Sequence, residues 1–325
     1  MTNGAPAARP SRLDRVAIAL YAAVAVAIAF LDFYIRRNPS YAITTYVPQV
    51  LAGTYEAPFI YRPLAPWIIQ AFTSLSGLSP MAAFVLLRLA AIFAALVAFH
   101  LYLRTWYPAA AALGATMTMA ALMPLTFTNS WPVPGTYLEL AFFSAGAWAI
   151  ARKRDWLFGA ILLLASLNRE TSAFLLLLWA ATRVSERPAA QWLPRAVMFG
   201  AAWLVVFAGL RWMHGFKTYT VFVLGQNLLY LNAIDAGIDP RLRLFAWFWL
   251  PMLGVPGWLA WRGARLADAP GFARRAFVVG LVFTGASLMA ASIVEPRVLL
   301  PAFPLFAPAA LAWVTNDDAR SSRPA

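Results

Sequence analysis

The stretch Leu167-Asn168-Arg169-Glu170-Thr171 separates two apolar runs, residues 156–167 and 172–182. A charged side chain at the centre of a bilayer costs about 2.5–3.5 kcal/mol on insertion scales. Two opposite charges and an amide inside such a run therefore need partners, water or a task. Read as one helix the segment has about 28 residues, long for a span of about 20. Read as two, it turns at residues 168–170. The flanks favour the second reading: Arg152, Lys153 and Arg154 precede the pair, and Arg183, Arg187 and Arg195 follow it. Basic clusters mark the cytoplasmic ends of spans, so both flanks belong on one side. The expectation is a helical hairpin whose tip opens toward the other side. The competing reading is that Arg169 and Glu170 pair with each other or cap the turn, but intramembrane ions are functional candidates by default.

Composition sets the class around this hairpin. Of 325 residues, 62% are hydrophobic and 12% charged, with a mean hydropathy of +0.67; a soluble domain carries about 25% charged residues. This predicts an all-α polytopic membrane protein with about ten transmembrane helices and outer-face loops carrying short interfacial or re-entrant helices. No long polar linker divides it. Residues 13–315 therefore read as a single transmembrane domain between a disordered cytoplasmic tail, 1–12, and a second cytoplasmic tail, 316–325. The 26 Lys and Arg against 13 Asp and Glu leave a net charge of +13. In a soluble protein that excess would point to nucleic acid. Here it sits mostly in short loops, where topology and anionic lipid headgroups account for it, and no nucleic-acid partner is expected. Cysteine is absent, which excludes disulfides and thiolate sites; His100 and His214 do not make a histidine-rich metal site.

Arg9, Arg12 and Arg15 precede an apolar run over residues 16–35 that is too long for a signal-peptide core of 7–15 residues, so it reads as a retained first span. Asp32 lies near its outer end, followed by Arg36 and Arg37. The outer segment to residue 79 holds Glu56, Tyr61 and Arg62; its apolar part, 64–78, is short, broken by Pro and Gly, and reads as interfacial or re-entrant. Further spans are expected over residues 80–103, 108–127 and 135–151, then the hairpin. The last four are expected over 196–213, 244–261, 276–293 and 298–314. A second outer segment, 214–241, carries Lys217, Gln226, Asn227, Asp235 and Asp239. This threading puts the majority of the 26 basic residues on the cytoplasmic side, with both termini there. A multi-pass protein of the cell (inner) membrane follows.

The threading also delivers Asp32, Glu56, Arg62, Glu139, Asn168, Arg169, Glu170, His214, Glu295 and Arg297 to the outer face or the outer third of the spans. Glu139, Arg169, Glu170 and Arg88 lie at membrane depth and are the hardest to dismiss as rim charges. A carboxylate beside arginines suits a base, and the arginines suit a phosphate. Plainer readings exist for each: Asp32 pairing with Arg36, Arg62 reaching headgroups, Glu295 and Arg297 as an exposed loop pair, His214 as an interfacial residue.

Three segments carry a resemblance. A helix ends Phe30-Leu31-Asp32-Phe33-Tyr34 before the first outer loop. A short helical pair carries Leu-Ala-Ser-Leu-Asn-Arg-Glu-Thr at 164–171. The last span begins Glu-Pro-Arg-Val-Leu-Leu-Pro-Ala-Phe-Pro-Leu at 295–305. In this order they resemble the integral-membrane glycosyltransferases of the GT-C superfamily, although Asp32 stands without a paired acid and Val298 stands where a tyrosine is usual. The resemblance implies transfer of a sugar, with inversion, from a polyprenyl-phosphate carrier to a glycan, lipid or protein acceptor at the non-cytoplasmic face. It implies Asp32 as catalytic base with Glu56 in reserve. Arg169 and Arg297 would hold the lipid phosphate, with Asn168, Glu170 and Glu295 orienting them or binding sugar. Arg62, Glu139 and His214 complete the substrate-binding set. No cofactor is implied beyond the lipid-linked sugar donor, which is a substrate, and membrane lipids are further partners. A transporter or lipid flippase with an outer-face polar site is the alternative, weakened by the lack of an evident inverted repeat. A non-catalytic lipid-binding subunit is the third reading.

Overall fold

In lipid, backbone polar groups must be satisfied within the segment that carries them. The described residues accordingly hold helices and no strand. The computed structural model describes residues 11–35, 40–128, 133–219, 222–231 and 247–321. Among these, five helices are long and apolar enough to cross a membrane. They are α1 (Arg12–Ile35), α4 (Pro80–Leu103), α5 (Ala109–Leu122) with the 3-10 turn that prolongs it, α9 (Ala189–His214), and α12 (Gly271–Ala290). Shorter helices complete the chain: α2 (Val47–Leu51), α3 (Leu64–Ser76), α6 (Thr136–Ala151), α7 (Asp155–Asn168), α8 (Ala173–Val184), α10 (Leu224–Leu231), α11 (Val255–Ala264) and α13 (Ala302–Ser321). Against the expected count of about ten spans, five helices have the length of a span and the other apolar helices are shorter. The polar tail expected from residue 316 instead continues α13 as helix to Ser321. Arg36, Arg37, Asp235, Asp239, the start of the span expected at 244 and most of the first tail lie outside the described residues.

Local chemistry explains the boundaries. The α4 helix begins where the Ser79 hydroxyl accepts from the Ala82 amide at 3.2 Å, with Pro80 in the first turn. It packs against α1, α3, α5 and α6, and half of its most apolar stretch is buried. In α9 only 11% of that stretch is buried, and Val197, Val205, Trp212 and Met213 stand out from the bundle, as a lipid-facing helix requires. In α13, Pro308 has no amide proton to give the Pro304 carbonyl one turn back. Tyr102 of α4 donates to that carbonyl instead, at 3.0 Å, and Tyr107 donates to the Pro308 carbonyl. The α11 and α13 backbones meet at Gly263, where a Cβ would overlap the Ala309 carbonyl; small residues permit such approaches between apolar helices.

The hairpin forms as expected. Asp155 at the start of α7 and Arg183 near the end of α8 are joined Oδ1 to Nη2 at 2.7 Å. Trp179 Nε1 donates to the same carboxylate at 3.0 Å, and Arg195 of α9 reaches it at 2.8 Å. Both arms therefore start and finish at one end of the bundle. The expected interfacial stretch forms the separate helix α3, which buries Leu64, Ala65, Pro66 and Ile69 and leaves Trp67, Phe72 and Leu75 exposed.

Candidate functional site

The hairpin tip carries the site because its arms are short. With 14 residues α7 is about 21 Å long, and with 12 residues α8 is about 18 Å, against roughly 30 Å of hydrocarbon. The turn between them therefore stops within the bundle, and its polar groups need partners there. The α6 helix supplies them. Arg169 Nη1 meets the buried Glu139 carboxylate at 2.5 Å, and the Thr171 hydroxyl donates to the other oxygen of the same group. Asn168 Nδ2 donates to the Gly135 carbonyl at 3.1 Å. A Cβ at residue 135 would overlap the Asn168 amide oxygen, so this approach needs glycine.

Two further segments bring arginines to the same place. The first outer loop is braced by an aromatic cluster, Tyr46, Tyr55 and Phe59, with ring centroids 5.1–6.3 Å apart. It is tied to the end of α9 by Tyr61, which donates to the Gly215 carbonyl at 2.6 Å, and by Lys217 Nζ, which donates to the Tyr55 carbonyl at 3.0 Å. This holds Arg62 so that its fork grips Glu170 through two bonds, Nη2 to Oε1 at 2.7 Å and Nε to Oε2 at 3.3 Å. The 3-10 turn Pro296–Leu299 before α13 buries Arg297, whose Nη2 and Nε meet Glu295 Oε2 at 2.7 and 3.2 Å.

Arg62, Arg169 and Arg297 line one pocket with Tyr46, Thr136 and Asn168. Burial pushes the Tyr46 phenol up to about 12 although the three guanidiniums around it act to lower it. Burial alone would raise Glu170, but the charge of Arg62 outweighs it and holds the carboxyl down at about 2. Glu295 behaves alike: burial raises it, and Arg297, then Arg169 and Arg62, bring it below its ordinary value. Three arginines and three carboxylates thus balance, each cation held by an acid. The pocket they leave is about 10 Å³, the room of one water.

Of the residues expected from the sequence, Arg62, Glu139, Asn168, Arg169, Glu170, Glu295 and Arg297 come together here. Three do not. Asp32 is 1% exposed, forms an ion pair with Arg88 of α4, and is not part of the pocket wall. The Arg88 guanidinium also sits 4.9 Å from the Tyr137 ring centroid. The plain alternative of Asp32 pairing with Arg36 falls on a residue outside those described; its observed partner lies in another helix. Glu56 is exposed on the loop that carries Arg62. His214 is half-buried beside Gly53 and is not part of the pocket wall. Glu295 and Arg297 are not the exposed loop pair of the plainer reading, since Arg297 is 3% exposed. Tyr46 and Gly135 had no signal in the sequence, whereas Thr171 belongs to the polar stretch itself. No group of acids or histidines among the described residues could hold a metal ion. No family model, curated protein or solved structure matches the chain.

Proposed function

We propose that the chain is an integral-membrane glycosyltransferase that takes a sugar from a polyprenyl-phosphate carrier at the non-cytoplasmic face, with inversion. The convergence of Arg62, Arg169 and Arg297 on one pocket below the outer surface is the observation that carries this reading. In it the shorter helices complete about ten crossings of the cell membrane, with both termini in the cytoplasm. The donor phosphate displaces Glu170 or Glu295 from the arginines and is gripped by planar forks. The acceptor hydroxyl attacks the anomeric carbon, the bond from that carbon to the phosphate oxygen breaks, and the lipid phosphate leaves with the electron pair. Guanidinium charge held in place before reaction stabilises that leaving group, while a carboxylate takes the hydroxyl proton. Of the two acids implied by the resemblance, Glu56 is exposed on the loop that carries Arg62, whereas Asp32 would first have to leave Arg88. The base is therefore assigned to Glu56, and Asp32 to holding α1 against α4.

The transporter or flippase alternative needs polar groups through the bundle. Along α4, Ala91, Ile92, Ala95, Leu96 and Phe99 are buried between Arg88 and His100, which favours a one-sided site. The test is incubation of the purified protein with a panel of polyprenyl-phosphate sugars and acceptors. Release of lipid phosphate, lost in Arg169→Ala and Arg297→Ala, supports the reading; no release with any donor, or release unaffected by both substitutions, rejects it.

A further inference from the structure

A second polar cavity lies at the opposite end of the bundle, between the first turns of α1, the end of α4 and the α6–α7 connection. It measures about 370 Å³, within the usual range of small-ligand sites. Its inner wall is a closed network. Asp14 accepts from the Ser11 amide and hydroxyl at 2.7 and 2.8 Å, from His100 Nε2 at 3.1 Å and from Arg104 Nε at 3.0 Å. With its proton on Nε2, His100 accepts from the Tyr21 hydroxyl at Nδ1, 2.8 Å away. Arg104 spends its remaining donors on the Tyr107 carbonyl, at 2.8 Å, and on the second Asp14 oxygen, at 3.5 Å. The single carboxylate of the cavity thus serves Ser11, His100 and only one of its three arginines, Arg104.

The other two are left over. Arg152 caps α6, lines the cavity, and has a buried Nε with no hydrogen-bond partner. Arg154 lies over the Trp148 ring, 5.1 Å from its centroid, and points its charge into the same space. Neither forms an ion pair with an acid among the described residues. The remaining wall is apolar: Ile18, 41% exposed, and Leu101, 45% exposed, carry the lipid-facing sides of α1 and α4 into the cavity mouth. Two uncommitted guanidiniums beside an aliphatic wall match a phosphodiester that arrives with hydrocarbon attached.

We infer that this cavity binds the phosphate headgroup of an anionic phospholipid, with Arg152 and Arg154 on the phosphate and Ile18, Val97 and Leu101 against its glycerol and first methylenes. The inference is independent of the donor site at the hairpin tip. It is tested on the full chain in phosphatidylcholine nanodiscs. Phosphatidylglycerol, or soluble glycerol phosphate, is added, and bound molecules are counted by native mass spectrometry alongside thermal stability. Phosphatidylglycerol should bind at least tenfold more weakly to Arg152→Gln/Arg154→Gln and keep its affinity for Arg262→Gln/Arg265→Gln, which removes the same charge elsewhere. Because neither arginine forms an ion pair and only Arg154 has an aromatic contact, with Trp148, the first variant should unfold within a few degrees of the wild-type temperature without added lipid. Arg152→Lys/Arg154→Lys should bind at an intermediate level, since a fork becomes a point charge. Equal loss in the two Gln variants, or no loss in either, overturns the site. Glycerol phosphate binding as tightly as the lipid would reassign it to a soluble phosphate and overturn the lipid assignment.

Discussion

The two ends of the α7–α8 hairpin use the same residue types to opposite effect. At the tip, Arg62, Arg169 and Arg297 each hold one glutamate, and the charges cancel. At the base, Asp155 and Glu186 are shared among Lys153, Arg183, Arg187, Arg195 and Arg275. Balanced pairs desolvate together and hold their geometry, whereas a surplus of cations stays near water and headgroups. In the proposed function the tip is where a visiting anion exchanges with a resident one, whereas the base fastens helices.

The largest effect expected at the base is from Asp155→Asn. Arg183 is fully buried, and removing the Asp155 carboxylate leaves it only the longer pair with Glu186 at 3.4 Å, at a cost of up to about 3–5 kcal/mol. Thermal unfolding in detergent reads it; a shift no larger than that of a surface substitution would erase the contrast between the two ends. Asp32→Asn strands Arg88 in the same way and should destabilise by a similar amount. Lost turnover in that variant reports on folding unless its unfolding temperature is intact.

At the tip the expected effects fall on function. Glu56→Gln should retain fold and donor binding while losing about 10²–10⁴-fold in turnover. Normal turnover there, with an inactive but well-folded Asp32→Asn, would return the base to Asp32. Arg169→Lys should weaken donor binding about tenfold, since a bidentate fork is replaced by a point charge. Glu295→Gln should act in the other direction and tighten the donor a few-fold, because the donor no longer competes with the Glu295 carboxylate for Arg297; titration with a non-transferable polyprenyl phosphate measures both.

The smallest expected effects concern pH and the rim. Glu170 sits at about 2 in the folded chain, below the ordinary glutamate value near 4.3. Its contribution is full above the ordinary value and is lost as pH falls through about 2. Donor binding should therefore show no Glu170-linked step between about pH 5 and pH 8. Lys153→Ala at the base removes a bridge whose lysine is 59% exposed and should change stability by less than about 1 kcal/mol. A larger loss would mean that the base, too, depends on individual pairs.

What could be read from the sequence depended on how far apart the partners lie. The hairpin was legible because cations stand at both ends of its apolar arms and a polar stretch at its middle. The α4 helix was legible to the residue, bounded by Ser79-Pro80 and by Arg104. Pairing across helices was not: nothing local joins Asp32 to Arg88, Arg62 to Glu170 or Asp14 to His100. A lone acid at the end of an apolar run reads as a surface base until the arginine facing it is known. Tyr46 escaped notice because an aromatic residue in an outer loop is ordinary at a membrane interface. The ten-span threading counts several apolar segments whose helices are too short to reach across by themselves.

That shortness bears on how the chain is made. An arm of 12 or 14 residues offers an insertion machinery less than the roughly 20 apolar residues of a span. Neither arm is a self-sufficient membrane signal, and the turn between them carries an arginine and a glutamate. Glu139, which receives Arg169, lies upstream on α6 and so is synthesised first. The two arms are therefore expected to enter the bilayer together, as one late-committing unit, with the ribosome having already delivered the carboxylate that makes their polar tip tolerable.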